Sequence, residues 1–498
     1  MQQNSDIHEA AQHIIAGDQR LSCSMIWEIQ RQYFLRSGMR AWQDDVVPHY
    51  ISSNPVMARA YSQVVLGYLR DCFAAATDAD FQCDRSQPFY IVELGAGSGR
   101  LAHHFLHQFH TLLARSPFAD LSFKYVLTDF VPQILDFWQK HARFKPWVEA
   151  GLLDFALFDV MAQRPLTLTT TNQTLTPDQL TNPLILIANY FFDSIPQDSF
   201  VLEDSQVHAN LLSIYSTQPE PDLADPTIWD RLELAYEAFP LETPYANEPI
   251  YNQILDSYAA QFPDTTLSFP NVGLDCLRFW QGYGSGNLLL LTSDRGHTMP
   301  EALLDQDDPL PNLHGSFSLM VNYHAIGEYV EINNGLALYP PHYQDNLQVA
   351  AYLLGQIPQA GLETGFGFET AVIQNGPDDF FAIKTALEPH LPTMTLPQIL
   401  SYLRLSAWDA AIFCECYPTL LAQLKQASPA WYPDVQAVLN RIWQQYLPLQ
   451  AEDDLAAKIQ VLLTEMDLAD DYNEYFDRLS TVLGSSEFVS FPIRCSLP

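Results

Sequence analysis

The sequence predicts an α/β fold built on a parallel sheet with helices on both of its faces. From Pro88 onward, short apolar runs typical of buried strands alternate with patterns typical of amphipathic helices. A glycine-rich turn joins the first of these strands to the helix that follows it. Acidic residues stand at the ends of three successive strands, which is where ligands bind to open sheets of this kind.

Length, composition and charge limit the possible functions. The chain has 498 residues, of which 48% are apolar, so we expect about two or three domains with a sizeable core. Its 24 basic and 59 acidic residues give a formal charge of −35. This charge argues against nucleic acid and anionic membrane surfaces as partners and modestly favours a cationic substrate. It is equally consistent with acidic residues that only keep the protein soluble.

No targeting or membrane signal stands out in the chain. Its seven scattered cysteines form no disulfide framework, and the first residues lack the basic and apolar regions of a signal peptide. No apolar run approaches the length of about 18 residues needed to span a membrane. We therefore expect a cytoplasmic protein.

Residues 1–80 are predicted to form an N-terminal helical segment. An amphipathic pattern covers 25–36, and a second helix runs from 55 to about 76. Asn54 or Ser53 is the expected N-cap of this second helix, because Pro55 is favoured at a first helical position.

The predicted sheet belongs to a domain over 81–385. Its parallel strands are expected at 89–94, 122–128, 153–158, 184–188 and 287–292, with helices over about 100–114 and 132–141. A further helix is expected near 323–333. Two edge strands are expected from 335–339 and from 370–373 followed by 379–384.

Two regions lie outside this alternating pattern. An acidic and aromatic insertion at 201–285, with helical pieces near 228–238 and 250–261, would lie over the active site or only pack against the domain. From 386 to 498 we expect a helical C-terminal domain. Its segments 408–424 and 467–483 each resemble a helix–turn–helix repeat unit. This domain is either an interaction domain similar to tetratricopeptide repeats or a plain helical cap.

The glycine turn is the most informative motif. Gly95, Gly97 and Gly99 follow a strand that ends at Glu93, and a helix pattern begins at Arg100. Glycines allow backbone N–H groups to approach a ligand closely at a helix N-terminus. A dinucleotide fingerprint would need a third glycine at the position of Arg100, which disfavours an NAD enzyme.

The acid-x-G-x-G-x-G pattern resembles motif I of the class I S-adenosylmethionine (SAM) methyltransferases. This resemblance implies SAM as the cofactor, with Glu93 contacting its amino group directly or through water. The turn residues Gly95, Ala96, Gly97 and Gly99 would pass under its methionine part.

The resemblance also gives roles to residues after the next two strands. Asp129 would accept hydrogen bonds from the ribose hydroxyls, and Phe130 would flank the adenine. Asp159 would accept a hydrogen from the adenine amino group, with Val160 beside the ring.

The segment ANYFFDSIPQDSF at 188–200 resembles the A-N/H-E-x-x-D-A-L-P-x-x-x-F motif of the MidA-type methyltransferases. That family includes mitochondrial complex I assembly factors that methylate a protein arginine. Its segment before motif I and its strand five, which ends D-Y-G, resemble residues 38–61 and 288–297. The similarity covers about 30–335 and departs at Tyr190, where the family has Glu, and at Arg295, where it has Tyr.

Asp193 matches the family motif and is the first candidate for orienting or deprotonating a methyl acceptor. Capping of the next turn is an equally good interpretation of this residue. Tyr190 and His324 are further candidate catalytic residues, and Asn189 is a candidate cofactor residue.

Three histidines on one predicted helix form a further group that could bind a ligand. His103, His107 and His110 share a face at a spacing that can bind a metal, but no fourth ligand is evident and we expect no metal.

The sequence thus predicts the Rossmann-like seven-stranded sheet of a class I methyltransferase, with an N-terminal helical segment, an insertion and a helical C-terminal domain. The expected acceptor is a protein or peptide nitrogen, such as that of arginine, or a small molecule. The alternative is a SAM-fold assembly or interaction factor that acts through its helical C-terminus without catalysis. Neither alternative fixes the oligomeric state.

Overall fold

The computed structural model of the protein describes residues 13–43, 50–76, 81, 83–219, 222–342, 347–356, 362–449 and 454–468. The chain divides into two compact units. The first comprises Met1–Gln139 with Asp154–Ala386, and the second comprises Lys140–Leu153 with Leu387–Pro498. Among the described helices, none has the length and apolar character required to cross a membrane.

A seven-stranded mixed sheet organises the first unit. In spatial order its strands are β15 (Leu336–Leu338), β16 (Gln348–Leu354), β10 (Leu288–Asp294), β5 (Leu184–Asn189), β2 (Phe89–Glu93), β3 (Phe123–Asp129) and β4 (Leu153–Leu157). The pairs β10–β5, β5–β2 and β2–β3 are parallel, whereas β16 is antiparallel to both β10 and β15. Together with its helices, this sheet is consistent with the predicted methyltransferase fold.

The five strands predicted from apolar runs all form in this sheet. Every residue of β2 and of β10 is buried, as expected for strands covered on both faces. The edge strand predicted at 335–339 is also confirmed, as β15.

The other predicted edge strand is wrong. Residues Glu369–Ile373 form a π-helical turn and Pro377–Leu387 form helix α12, so neither segment is extended. Pro377 at the start and two acidic residues in the first turn favour that helix. The strand beside β10 is instead β16, whose seven residues QVAAYLL are all buried.

The helices of the first unit include those predicted near 25–36, 55–76, 100–114, 132–141, 250–261 and 323–333. They are α1 (Ile26–Ser37), α2 (Arg40–Gln43), α3 (Tyr50–Ser53), α4 (Pro55–Ala75), α5 (Arg100–Leu113), α6 (Pro132–Lys140), α8 (Pro249–Gln261), α9 (Asn271–Gln281), α10 (Tyr323–Ile332), α11 (Leu362–Phe368) and α12. Asn54 is the predicted N-cap of α4, because its side-chain oxygen accepts hydrogen bonds from the N–H groups of Val56 and Met57, each at 2.9 Å. The sequence therefore predicts the start of this helix correctly.

The insertion forms much of a second, antiparallel sheet. Its strands are β1 (His13–Arg20), β7 (Gln206–Ser216), β6 (Asp198–Glu203) and β9 (Thr265–Phe269) in spatial order, with β8 (Leu232–Pro240) also paired to β7. The helix predicted near 228–238 is wrong, since Ile228–Arg231 is a short 3-10 turn and β8 follows it. Strand β8 pairs with β7 along nine consecutive residues, a stabilisation that local propensity does not reveal.

Two short strand pairs and one isolated bridge lie beside the large sheets in the described part of the first unit. The strands are β11 (Gly296–His297), which pairs with β14 (Val321–Asn322), and β12 (Asn312–His314), which forms a hairpin with β13 (Ser316–Ser318). An isolated bridge joins Thr167 to Thr174.

The second unit is helical where it is described. Its helices are α7 (Lys145–Glu149), α13 (Leu396–Leu405), α14 (Ala410–Leu424), α15 (Tyr432–Gln445) and α16 (Leu455–Glu465). Helix α14 lies within the predicted repeat-like segment 408–424 and is capped by Asp409, whose side chain accepts from two backbone N–H groups. The second repeat-like segment, 467–483, lies outside the described residues apart from its first two positions.

Candidate active site

A single cavity of about 480 Å³ in the first unit gathers most of the predicted site residues. It opens at the carboxyl ends of β2, β3, β4, β5 and β10. The predicted residues that line it are Glu93, Gly95, Ala96, Gly97, Asp129, Phe130, Asp159, Val160, Asn189, Tyr190 and Asp193. Gly99 does not line it but stands directly before α5 as its N-cap. These residues are separated by up to 100 positions in sequence, and the sheet brings them together.

The glycine turn has the backbone conformation that its sequence predicts. Gly95, Gly97 and Gly99 have φ values of 62°, 53° and 75°, a region that side chains other than glycine rarely adopt. A Cβ atom on Gly97 would lie 2.8 Å from the ring of Trp42, so no larger residue fits there. The aromatic ring of Trp42 thus lies directly against the turn, a contact that the sequence did not reveal.

Glu93 ends β2 as a buried carboxyl group. It accepts a hydrogen bond of 2.7 Å from the hydroxyl of Tyr125. Burial raises the pKa of Glu93 to about 8, although the Tyr125 hydrogen bond acts in the opposite direction. The group is therefore mainly protonated at neutral pH and would become a carboxylate beside a bound cation.

Asp129 is the last residue of β3 and is held by the backbone of the glycine turn. Its carboxylate accepts hydrogen bonds from the N–H of Gly97 at 3.2 Å and of Val131 at 3.0 Å. Burial raises its pKa to about 6, while these hydrogen bonds lower it. The carboxylate is thus fixed next to the turn and ionised above about pH 6.

Asp159 forms an ion pair that the sequence did not predict. Arg31 of α1 lies 2.7 Å from a carboxylate oxygen of Asp159, and its guanidinium carbon lies 4.8 Å from the ring centroid of Phe130. Arg31 therefore covers both residues that were predicted to hold the adenine. No local signal could pair Arg31 with Asp159, because 128 positions separate them.

Asn189 is fixed at the end of β5 by two hydrogen bonds. Its amide nitrogen donates to the backbone oxygen of Ser52 at 2.8 Å, and its side-chain oxygen accepts from the hydroxyl of Tyr61 at 2.7 Å. Helices α3 and α4 thereby position this cavity residue. The sequence predicted Asn189 as a cofactor residue only from the motif that contains it.

Asp193 lies on a short turn, Phe192–Ser194, and is 3% exposed. Burial raises the pKa of Asp193 to about 7, whereas the hydrogen bond from the Ser194 hydroxyl (2.8 Å) and the charge of Arg295 lower it. Among the described residues, no backbone N–H donates to this carboxylate. The structure therefore gives no support to the capping interpretation and leaves a titratable acid in the cavity wall.

Behind this turn lies a second buried acid, Asp294, the last residue of β10. It accepts hydrogen bonds from the hydroxyl of Tyr323 at 2.7 Å and from the N–H of Phe192 at 3.2 Å. Burial, with a smaller contribution from the charge of Asp193, raises the pKa of Asp294 well above its ordinary value. Asp294 thus fixes the backbone of the turn that carries Asp193.

Tyr190 and Arg295 follow β5 and β10 and both line the cavity. Tyr190 has a positive φ of 48°, and its N–H donates to the backbone oxygen of Ser293 at 2.9 Å. Burial raises the pKa of its hydroxyl far above neutrality, so the group acts as a neutral donor or acceptor. The backbone oxygen of Arg295 accepts from the N–H of Val321 at 3.0 Å.

The structure does not bring His324 to the cavity. This residue lies on α10, where its Nδ1 is 2.8 Å from the hydroxyl of Tyr258. Burial lowers the pKa of His324. A direct part in catalysis at this cavity therefore has no geometric support.

The three histidines whose spacing could bind a metal, although no metal was expected there, all lie on α5. His103 is fully buried and its ring packs against the rings of His104 and His107. In the part of the chain that the structure describes, the only group with a suitable ligand spacing is His342, Asp378 and Asp379, whose ligand atoms lie within 4.8 Å of one another. None of these three lines the cavity.

Comparison with known proteins agrees with this geometry. Residues 78–266 match the model of a family described as "putative S-adenosyl-L-methionine-dependent methyltransferase". From this match we conclude that the protein is a SAM-dependent methyltransferase and that SAM is its cofactor. No curated protein matches the chain.

Two solved structures from Burkholderia thailandensis show some likeness to this chain. One is an uncharacterised protein with 12% identity and a TM-score of 0.42, which covers 72% of this chain and 92% of its own. The other, bound to S-adenosyl-homocysteine, has 12% identity and a TM-score of 0.40 and covers 63% of this chain and 80% of its own. At such TM-scores, neither likeness determines the fold or function of this chain.

Proposed function

We propose that the protein is a methyltransferase of the MidA-like type, with the Rossmann-like sheet of class I enzymes, that methylates a nitrogen or oxygen of its acceptor. The observation that carries this proposal is the cavity itself. The glycine turn, the strand-end acids and Asp193 all line one cavity at the carboxyl ends of the parallel strands. The sheet order, with β15 and β16 antiparallel at one edge, supports the same assignment.

The residues of the cavity fit SAM. In this proposal the backbone of Gly95–Gly97 lies under the methionine part, and the buried Glu93 receives its ammonium group. Asp129 accepts from the ribose hydroxyls. Adenine takes the place of Arg31 over Phe130, so that Arg31 moves as the cofactor enters.

SAM supplies a methyl group already activated by a cationic sulfur, so the protein has few chemical tasks. It aligns the acceptor with the methyl group, excludes water and accepts one proton. Asp193 is the proposed proton acceptor because it lines the cavity as a carboxyl group with a pKa of about 7. Tyr190, beside it, would orient the acceptor through a neutral hydroxyl.

Calorimetric titration with SAM, S-adenosylhomocysteine and NAD tests the cofactor site. Micromolar binding of the first two, and none of NAD, is the expected result. A lysate screen for radiolabelled methyl transfer then identifies acceptors. Binding of SAM without any transfer would favour the alternative, a non-catalytic assembly factor. Failure to bind SAM and S-adenosylhomocysteine would contradict the proposed function.

A further inference from the structure

We propose that the methyl acceptor carries an anionic oxygen group, such as a carboxylate, and that Arg295 binds this group at the acceptor end of the cavity. The inference rests on the proposed function, since it names the substrate class of the same site. It departs from the cationic substrate that the net charge of −35 favours.

Arg295 directly follows β10 and lines the cavity. Among the described residues, its guanidinium forms neither an ion pair nor a hydrogen bond. The other arginine in the cavity wall, Arg31, is paired with Asp159 at 2.7 Å. A guanidinium has five N–H donors arranged to bind planar anions such as carboxylates. Arg295 is therefore the cation of this wall that is available to a ligand.

The backbone holds Arg295 in place on both sides. Asp294 ends β10, and Gly296 begins the short strand β11, which pairs with β14. A Cβ atom on Gly296 would lie 2.4 Å from the backbone oxygen of Val321, so the strands pack tightly there. The guanidinium is thus carried by a rigid element at the same sheet edge as the methyl-transfer residues.

The surroundings of Arg295 identify the acceptor end of the cavity. Burial has the largest effect on the pKa values of Asp193, Tyr190 and His314, all of which line the cavity, and the charge of Arg295 acts on each of them as a smaller, lowering contribution. The buried Nδ1 of His314 has no hydrogen-bond partner among the described residues. An anion beside Arg295 would therefore meet a second polar group, on the hairpin β12–β13, and would lie close to the proposed base.

A guanidinium acceptor is disfavoured by the same geometry. It would meet the positive charge of Arg295 across a small cavity, and like charges repel strongly in such surroundings. Among the residues that the structure describes, the acid at this end is Asp193, whose carboxyl must stay free to accept a proton. The replacement of the family's Glu by Tyr190 removes another acid from the same wall.

The chemical step balances with an anionic acceptor. A nitrogen or oxygen of the acceptor forms a bond to the methyl carbon, and the carbon–sulfur bond breaks with its electron pair left on sulfur. The proton of the acceptor atom passes to the carboxylate of Asp193. The anionic group bound to Arg295 is unchanged throughout and serves to orient the acceptor.

Three probes of one shape test this assignment: benzoate, benzamide and benzamidinium, which are anionic, neutral and cationic. Their binding is measured by saturation-transfer NMR on the full chain, with and without S-adenosylhomocysteine. We expect benzoate to bind best. Arg295→Gln should weaken benzoate binding by about tenfold or more, because it removes charge-assisted hydrogen bonds. Arg295→Lys should retain part of the affinity.

Arg115→Gln is the matched control, since Arg115 is exposed and does not line the cavity. It removes the same charge and should leave benzoate binding unchanged. Tighter binding of benzamidinium, absence of benzoate binding, or equal benzoate binding by wild type and Arg295→Gln would each overturn the inference. Affinity for S-adenosylhomocysteine is measured separately for each variant. If the wild type does not bind S-adenosylhomocysteine, the proposed function is contradicted. The benzoate, benzamide and benzamidinium measurements made without S-adenosylhomocysteine still test the anion site in that case.

Discussion

Binding of S-adenosylhomocysteine at pH 7 should release close to one proton from Glu93. Burial raises the pKa of this carboxyl to about 8, so it is about 90% protonated at pH 7. An ammonium group within hydrogen-bond reach favours the carboxylate, and a pKa of about 5 or below in the complex would leave it ionised. The expected release is therefore about 0.9 proton per molecule bound. S-adenosylhomocysteine is preferred to SAM because it lacks the sulfonium charge that would also act on Asp193.

Calorimetric titrations in phosphate and in Tris at pH 7 measure this number. The slope of the observed enthalpy against the ionisation enthalpy of the buffer gives the protons released. Glu93→Gln should abolish most of the release, whereas Asp178→Asn, a change at an exposed residue away from the cavity, should not alter it. Above pH 8 the release should fall in the wild type, because Glu93 is then increasingly ionised before the ligand binds. A wild-type release below about 0.2 proton, or an equal release from Glu93→Gln, would refute the assignment of Glu93 to the ammonium.

The other predictions concern the same cavity. Gly97→Arg should lose S-adenosylhomocysteine binding in calorimetry, because the turn needs a positive φ there and a Cβ would meet Trp42. Unchanged affinity would show that the cofactor does not bind at this turn. Glu93→Gln should raise the melting temperature of the unliganded protein at pH 8 by a few degrees. A carboxyl whose pKa rises from 4.5 to about 8 on folding makes the native state less stable as pH increases through that range. Equal melting temperatures at pH 8 would contradict this. Asp193→Asn should lower methyl transfer to a lysate acceptor by about 10²–10⁴-fold with S-adenosylhomocysteine affinity preserved. The wild-type rate should rise between pH 6 and pH 8 as a carboxyl with a pKa of about 7 ionises, and a flat profile would remove Asp193 from the mechanism.

Local signals in the sequence predicted the large sheet well. An apolar run of five or six residues specifies a strand that is buried on both faces, and β2 and β5 form where such runs occur. The conformation of the glycine turn was equally predictable, because only glycine tolerates the φ values observed there. The position of the strand-end acids in one cavity was also predictable, since parallel strands place their carboxyl ends at the same edge of the sheet.

Contacts between distant segments escaped prediction. Strand β8 contains LELAYEAFP, whose acidic residues and alanines do not favour a strand, and it forms through its pairing with β7. Strand β16 also escaped prediction, because the edge strand was expected at 370–373 and 379–384 and not at the mainly apolar run QVAAYLL. Arg31 and Trp42 enter the cavity from the N-terminal helices, and their partners, Asp159 and the glycine turn, are far away in sequence.

The charge of the cavity differs from the charge of the whole protein, and this difference bears on the acceptor. Burial raises the pKa of Glu93 to about 8 and of Asp193 to about 7, so these acids carry little of the net charge of −35 at neutral pH. Arg295 contributes a guanidinium group to the same cavity wall. An acceptor end that carries Arg295 beside an only partly ionised Asp193 can admit an anionic acceptor into an acidic protein. By lowering the pKa of Asp193, Arg295 also favours the carboxylate form that must accept the proton. One side chain thereby couples recognition of an anion to the ionisation state that methyl transfer needs.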